Sequence, residues 1–306
     1  MPHPFLPSHF LPARWLFLFL GLLMLMAAAP VERLRVAAVV DGDTLELEDG
    51  RRLRLAGIEA AKPPSNGLGN EADPGRRWPL AEAATAALKE LALGRELTIR
   101  EEGRGDVHTD RHGRLVAQVM RDDGLWLQGE MLARGHARVH TQPDTRALAR
   151  EMLAVEAKAR AAERGIWRTR AYAVRPAAEP DALRRDRDSF QVVEGRVLRV
   201  TKAGNEAYLD FGEDWRTDVT VHIARGPLRD VQKAGIDPLS YEGRTVRVRG
   251  WVGLRNGPMI EITHPEQIER VEGGRGPVAR APAASQVLPQ DRTAAPQDDA
   301  GDEGIE

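Results

Sequence analysis

The sequence predicts an α+β protein, mainly β, in which many short strands share the chain with few helices. Two observations carry this. Between residues 33 and 167, five strand-like runs of five to seven residues alternate with turn signals and with three helical patterns. Between residues 190 and 271, five more strand-like runs surround one short helical stretch.

The first group begins with runs at 34–40, 44–48 and 52–58, joined by Asp41-Gly42-Asp43 and by the hairpin-like Glu48-Asp49-Gly50. Residues 62–79 are rich in Pro, Gly and Asn and read as an exposed loop. A helix follows, with Leu80, Ala84, Ala87 and Leu91 on one face and Gly94 as its stop. Strands at 96–101 and 115–121 flank the polar loop GRGDVHTDRHGR. A short helix over 125–134 stops at Gly135, and a longer one carries Leu148, Met152, Val155, Ala159 and Ala162 in a stripe that ends at Gly165. Five short strands with a helix inserted after the third fit a small barrel of the oligonucleotide/oligosaccharide-binding (OB) type with three helices.

Residues 171–189 are polar, interrupted by proline, and read as a linker. The second group has strand candidates at 191–200, 207–211, 219–223, 245–251 and 259–262, with a helix at 228–234, and fits a second small barrel-like domain that could itself be OB-like. Beyond residue 272, Pro, Ala, Gln and Gly dominate and the end is acidic, the composition of a disordered tail. The expected organisation is therefore 1–29, 30–170, 171–189, 190–271 and 272–306.

Of the 306 residues, 29 % are charged and 42 % hydrophobic, and the formal net charge is −2. This excludes a strongly basic coat, so polyanion binding would need a local set of arginines. Lysine occurs only at 62, 89, 158, 202 and 233. There is no cysteine, which excludes disulfides, thiolate metal sites and cysteine nucleophiles.

After Arg14 the chain runs WLFLFLGLLMLMAAA, shorter than the roughly 20 apolar residues that span a bilayer. Ala27-x-Ala29 before Pro30 has the form of a cleavage site. The expectation is a cleaved export signal with the rest in the periplasm or outside the cell; the alternative is an uncleaved membrane anchor.

Chemistry is concentrated in VVDGDTLELEDGRRLRLAGIEAAKPP, residues 39–64. Where neighbouring strand ends converge in a tightly coiled barrel, one Asp of Asp41-Gly42-Asp43-Thr44, Glu59 and a backbone carbonyl make an oxygen site suited to a hard divalent cation such as Ca²⁺. Arg54, and Arg114 from the DRHGR loop, could reach the same place and neutralise a five-coordinate phosphorus transition state.

These residues, with DRHGRLVAQV, GLWLQGEMLARGHARV and ERGIW, resemble the thermonuclease (staphylococcal-nuclease-like) family over about residues 33–167. The resemblance implies an exported OB-type barrel that hydrolyses DNA and RNA with Ca²⁺. It implies Asp43, Glu59 and the Ala60 carbonyl as metal ligands, with Asp41 and Thr44 behind them, and Arg54 and Arg114 as the arginines that hold the scissile phosphate. Arg111, His112 and His140 fall at substrate-contact positions.

The departure is Glu59-Ala60-Ala61-Lys62. The resemblance expects Asp-x-Pro-Glu there, with the Glu as general base. A lysine with a pKa near 10.4 is protonated at neutral pH and takes no proton unless strongly desolvated. Losing a general base costs about 10² to 10⁴ in rate while the electrostatic contribution persists. The expected function is thus an exported, monomeric, Ca²⁺-dependent nuclease weakened at Lys62. The alternative is a degenerate barrel that binds nucleic acid or protein without hydrolysis.

In the second group, Tyr208, Phe211, Trp215 and Trp251 near Arg247, Arg249 and Arg255 suit either single-strand binding or core packing. The stretch HPEQIERV from His264 reads as the edge of a packed domain, with too few ligands for a metal.

Overall fold

The computed structural model describes residues 33–63, 78–100 and 107–271. Residues 1–29, expected to be an export signal, most of the expected loop at 62–79, and the tail beyond residue 272 lie outside the described residues, and among those described no helix is long and apolar enough to cross a membrane. The fold is α+β: two mixed sheets, each curled into a half-barrel over its own apolar core.

The first half comprises β1 (Arg33–Asp41), β2 (Thr44–Leu47), β3 (Arg52–Leu55) and β4 (Ile58–Ala60), then helix α1 (Pro79–Ala92). After these come β5 (Glu96–Ile99), β6 (His108–Thr109), β7 (Leu115–Ala117), β8 (Val119–Arg121), α2 (Leu127–Ala133), β9 (Ala137–Val139) and α3 (Ala149–Ala161). Seven strands form one sheet in the order β6-β7-β3-β2-β1-β5-β8, and β4 pairs separately with β9. β1 carries two irregularities of register against β2, which bend the ribbon as a closing barrel requires.

The third expected strand breaks in two. Gly57 has φ of +74°, a turn that strains any side-chain-bearing residue, and an added Cβ would lie 2.4 Å from the Met152 side chain. β3 stays in the large sheet, and β4 turns away to meet β9.

The 171–189 stretch, read as a linker, is folded. It holds β10 (Arg175–Pro176) and α4 (Pro180–Arg185), and its Ala177 and Leu183 are buried in the second core. The second half continues with β11 (Phe190–Arg196), β12 (Arg199–Ala203), β13 (Glu206–Asp210), β14 (Thr220–Ile223), α5 (Arg225–Lys233), β15 (Thr245–Leu254), β16 (Pro258–Ile262) and β17 (Ile268–Arg270). Its sheet has eight strands, with the order β10-β11-β15-β16-β14-β13-β12 and β17 added on β15. The expected run 191–200 is two strands, β11 and β12, and β10 and β17 are too short to read from alternation.

The aromatics and arginines of this half divide between core and surface. Tyr208 and Phe211 are buried, Arg247 pairs with Glu194, and Arg249 is buried, while Trp251 is 57 % exposed.

The two halves are joined through polar contacts that sequence pattern does not announce. The buried stripe of α3 is Ala149, Met152, Glu156 and Ala159, so a carboxylate sits on its core side. Arg249 of β15 reaches it, bonding Glu156 Oε1 at 3.0 Å, Glu156 Oε2 at 3.1 Å, Glu269 at 2.6 Å and the Val139 carbonyl at 3.1 Å. Glu156 also accepts from the Val139 amide at 2.6 Å and from Arg160 at 2.8 Å. Nearby, Arg146 grips Glu266 through two bonds of 2.8 and 2.9 Å, and buried His264 bonds Thr141 at 2.8 Å.

Removing one member of a buried pair strands the other charge. Glu156→Ala is expected to lower unfolding stability by about 3–5 kcal/mol, read by urea denaturation, with the double variant Glu156→Leu/Arg249→Met recovering part of the loss. Burial holds His264 at a pKa of about 4, against an ordinary value of 6.5. Because the folded pKa is the lower, the unfolded chain binds the extra proton, and stability present above pH 6.5 is lost as pH falls toward 4. His264→Gln should flatten that decline, removing a pH-dependent contribution of up to about 3 kcal/mol from melts taken between pH 7 and pH 4.

Candidate functional site

The turn between β1 and β2 sets the site. An added Cβ on Gly42 would lie 2.7 Å from the Cβ atoms of both Ala60 and Ala84, so the Asp41-Gly42-Asp43 turn packs directly against β4 and α1. That packing turns Asp43 inward, where it is fully buried.

Four donors meet its carboxylate. Arg54 Nη1 bonds Oδ1 at 2.8 Å, Lys62 Nζ bonds Oδ1 at 2.8 Å, Thr44 Oγ1 donates to Oδ1 at 3.2 Å, and the Ala60 amide donates to Oδ2 at 2.9 Å. Lys62 Nζ also bonds Asp41 Oδ2 at 2.7 Å, and Asp41 Oδ1 accepts the Asp43 amide at 3.0 Å. Arg54 is positioned by register, since it faces Thr44 across β2–β3, and its Nη2 bonds the Ile58 carbonyl at 3.3 Å.

Full burial lifts the Asp43 carboxyl above the usual range, against the pull of Arg54 and Lys62. Burial also acts to discharge Lys62, but the two carboxylates outweigh it and its pKa is raised. The ammonium that replaces the expected general base is therefore held protonated.

Glu59 lies elsewhere. β4 pairs with β9 so that Glu59 faces Arg138, and Arg138 binds Glu59 Oε2 at 2.9 and 2.6 Å. Burial would raise the Glu59 carboxyl, but the charge of Arg138, helped by His140, brings it below its ordinary value. Arg138 donates in turn to the Phe190 carbonyl at 2.9 Å and lies over the rings of Phe190 and Tyr172. Ala60 meets Asp43 through its amide N–H and not through its carbonyl.

The expected metal set of Asp43, Glu59 and the Ala60 carbonyl is thus not assembled. Among the described residues no cluster of three or more His, Asp or Glu stands ready for a metal. The donor set does not fit Ca²⁺ as arranged, because one carboxylate is saturated by cationic and amide donors and the other is paired with Arg138.

Arg114 begins the turn into β7, which runs parallel beside β3 with Arg54 opposite Val116. Its guanidinium binds Asp110 at 2.8 and 2.7 Å, inside its own loop. Partial burial would raise Asp110, but the bonds from Arg114 and from the Arg114 and His112 amides bring it down to about 2. Arg111 and His112 are exposed on the same loop and bond each other at 3.1 Å.

His140 packs edge-on against Phe190, with centroids 4.5 Å apart, and burial lowers its pKa. It lines a cavity of about 710 Å³ that also takes in Trp251 and Arg255 of the second half. The residues that pattern reading missed are Arg138 and Asp110. Asp110 was within reach, since the Asp-x-x-Gly-Arg spacing places its carboxylate over the following amides.

A half-barrel of short strands, with a buried aspartate beside a partly exposed arginine, gives the first half an OB-like architecture. The chain belongs to the staphylococcal nuclease family: the description "Staphylococcal nuclease homologue" matches residues 52–169. Two relatives, from Escherichia coli O157:H7 and from Escherichia coli, each bear the name "Uncharacterized endonuclease". Each is 32 % identical over 136 residues, covering 44 % of this chain and 75 % of the relative.

Proposed function

We propose that the chain is a nuclease that acts on DNA or RNA at the open end of the first half-barrel, with slow hydrolysis. The observation that supports this best is Arg54, held at 2.8 Å by a fully buried Asp43 while remaining partly exposed itself. A guanidinium fixed from behind by a carboxylate is ordered before its ligand arrives, so less conformational entropy is lost on binding a phosphate. Arg114 is fixed in the same way by Asp110. Together they would hold a phosphodiester and stabilise charge that develops on its non-bridging oxygens during attack by water. His140 and the exposed Arg111 and His112 would meet the flanking nucleotides.

The rate would be low because Lys62 keeps its proton and cannot accept one from the attacking water. A second reading, binding without hydrolysis, is favoured by one observation: Lys62 bridges Asp41 and Asp43 at 2.7 and 2.8 Å. Incubating the full chain with single-stranded DNA, duplex DNA and RNA, beside Arg54→Ala, separates the two. The expected result is slow cleavage that falls by about 10²–10³-fold in Arg54→Ala. Retained binding with no cleavage in the wild type would establish the second reading instead.

We also infer that the chain is exported, on the strength of the apolar run before Ala27-x-Ala29. Mass spectrometry of the protein from its producing cells should find a mature N-terminus near Pro30. A chain still beginning at Met1 in the membrane fraction would mean an anchor.

A further inference from the structure

We propose that the Lys62 ammonium is the resident cation of the acidic site, and that the first half-barrel holds a phosphodiester there without a divalent metal. This rests on the nucleic-acid reading above and says how its site is charged.

The position of the ammonium comes first. Nζ stands 2.7 Å from Asp41 Oδ2 and 2.8 Å from Asp43 Oδ1. A Ca²⁺ ion bridging the same oxygens would stand about 2.3–2.6 Å from each, so ion and ammonium compete for one place.

The charge balance points the same way. Asp41 and Asp43 contribute two negative charges, and Lys62 and Arg54 contribute two positive ones on the same carboxylates. The group is neutral, with no uncompensated field to draw a dication out of water. A hard cation binds where several unpaired oxygens converge, whereas here Asp43 Oδ1 already serves two cations and Oδ2 an amide.

The third observation concerns the missing carboxylate. Glu59 would have to leave Arg138, which the second half fixes through the Phe190 carbonyl at 2.9 Å and the Phe190 ring. Recruiting Glu59 to a metal would therefore strand a partly buried guanidinium between the halves. The tethered ammonium faces none of these costs, and being covalently attached it is present whatever the free Ca²⁺ concentration.

The test is a calorimetric titration of Ca²⁺ into the metal-stripped full chain without nucleic acid, on wild type, Lys62→Glu, Lys62→Gln and Asp43→Asn, with circular dichroism confirming that each is folded. Wild type should show no saturable binding. Lys62→Glu should bind one ion, with a melting temperature that rises on adding Ca²⁺. Lys62→Gln, which is neutral and close in size, gives the same reading more weakly and serves if the Glu variant does not fold.

Saturable one-to-one binding by wild type that Asp43→Asn abolishes would overturn the proposal. So would Lys62 variants that fold yet remain as indifferent to Ca²⁺ as wild type, since lysine would then not be what keeps the ion out. In parallel, wild-type affinity for a fluorescent oligonucleotide should agree within about twofold in chelator and in Ca²⁺, and a loss of about tenfold or more in chelator would overturn the proposal. No oligonucleotide binding under either condition would remove the phosphodiester ligand and with it the nuclease reading, whereas the Ca²⁺ titration is independent of both.

Discussion

A fully buried carboxylate is among the most expensive groups a protein can carry, and the first half of this chain is arranged around one. Asp43 is out of water, and burial of an ionised carboxylate costs several kcal/mol after relaxation unless donors replace the lost hydration. They do so from four sites: Arg54 on β3, Thr44 at the start of β2, the Ala60 amide on β4 and Lys62 just beyond it. Three strands and the following segment thereby converge on one side chain. The close approach of Gly42 to Ala60 and Ala84 belongs to the same arrangement, since anything larger would push the turn away from the donors.

That demand also explains the behaviour of Lys62. A lysine beside a buried aspartate and a half-exposed one is drawn to both, and its ammonium completes the hydration shell that Asp43 gave up. A glutamate at this position would add a third carboxylate to the Asp41–Asp43 pair, an arrangement that calls for an external cation. With lysine the need is met internally. Lysine at this position thus supplies a permanent positive charge where a glutamate would supply a proton acceptor, and it shares Asp43 Oδ1 with Arg54.

How much of this is visible in the sequence depends on the range of each interaction. The Asp41–Thr44 turn, Arg54 two strands later and the Asp110–Arg114 loop are local, with their partners fixed by short spacings and turn chemistry, so they can be read directly. The two β-rich halves are legible for the same reason, from alternation and turn residues. Glu59 is different: its neighbour is chosen by the pairing of β4 with β9, which brings up Arg138 from 79 residues away. The Glu156–Arg249 pair spans 93 residues and two halves, and a helical reading that counts only apolar positions passes over Glu156 because it is charged. Short strands such as β10 and β17 leave too few residues for a period to register. Conversely, Arg247 and Arg249 of β15, read as suiting either single-strand binding or core packing, are absorbed by Glu194, Glu156 and Glu269.

The Arg249–Glu156 contact has a further consequence, for inheritance. A gene that lost its second half by a single deletion would leave a carboxylate in the first core with only Arg160 and the Val139 amide to answer it. Loss of the second half therefore becomes tolerable only after position 156 has changed, and a change there is penalised while the second half is still present. Each step carries a penalty while the other is missing, so in this chain truncation and the residue at 156 are coupled through one contact.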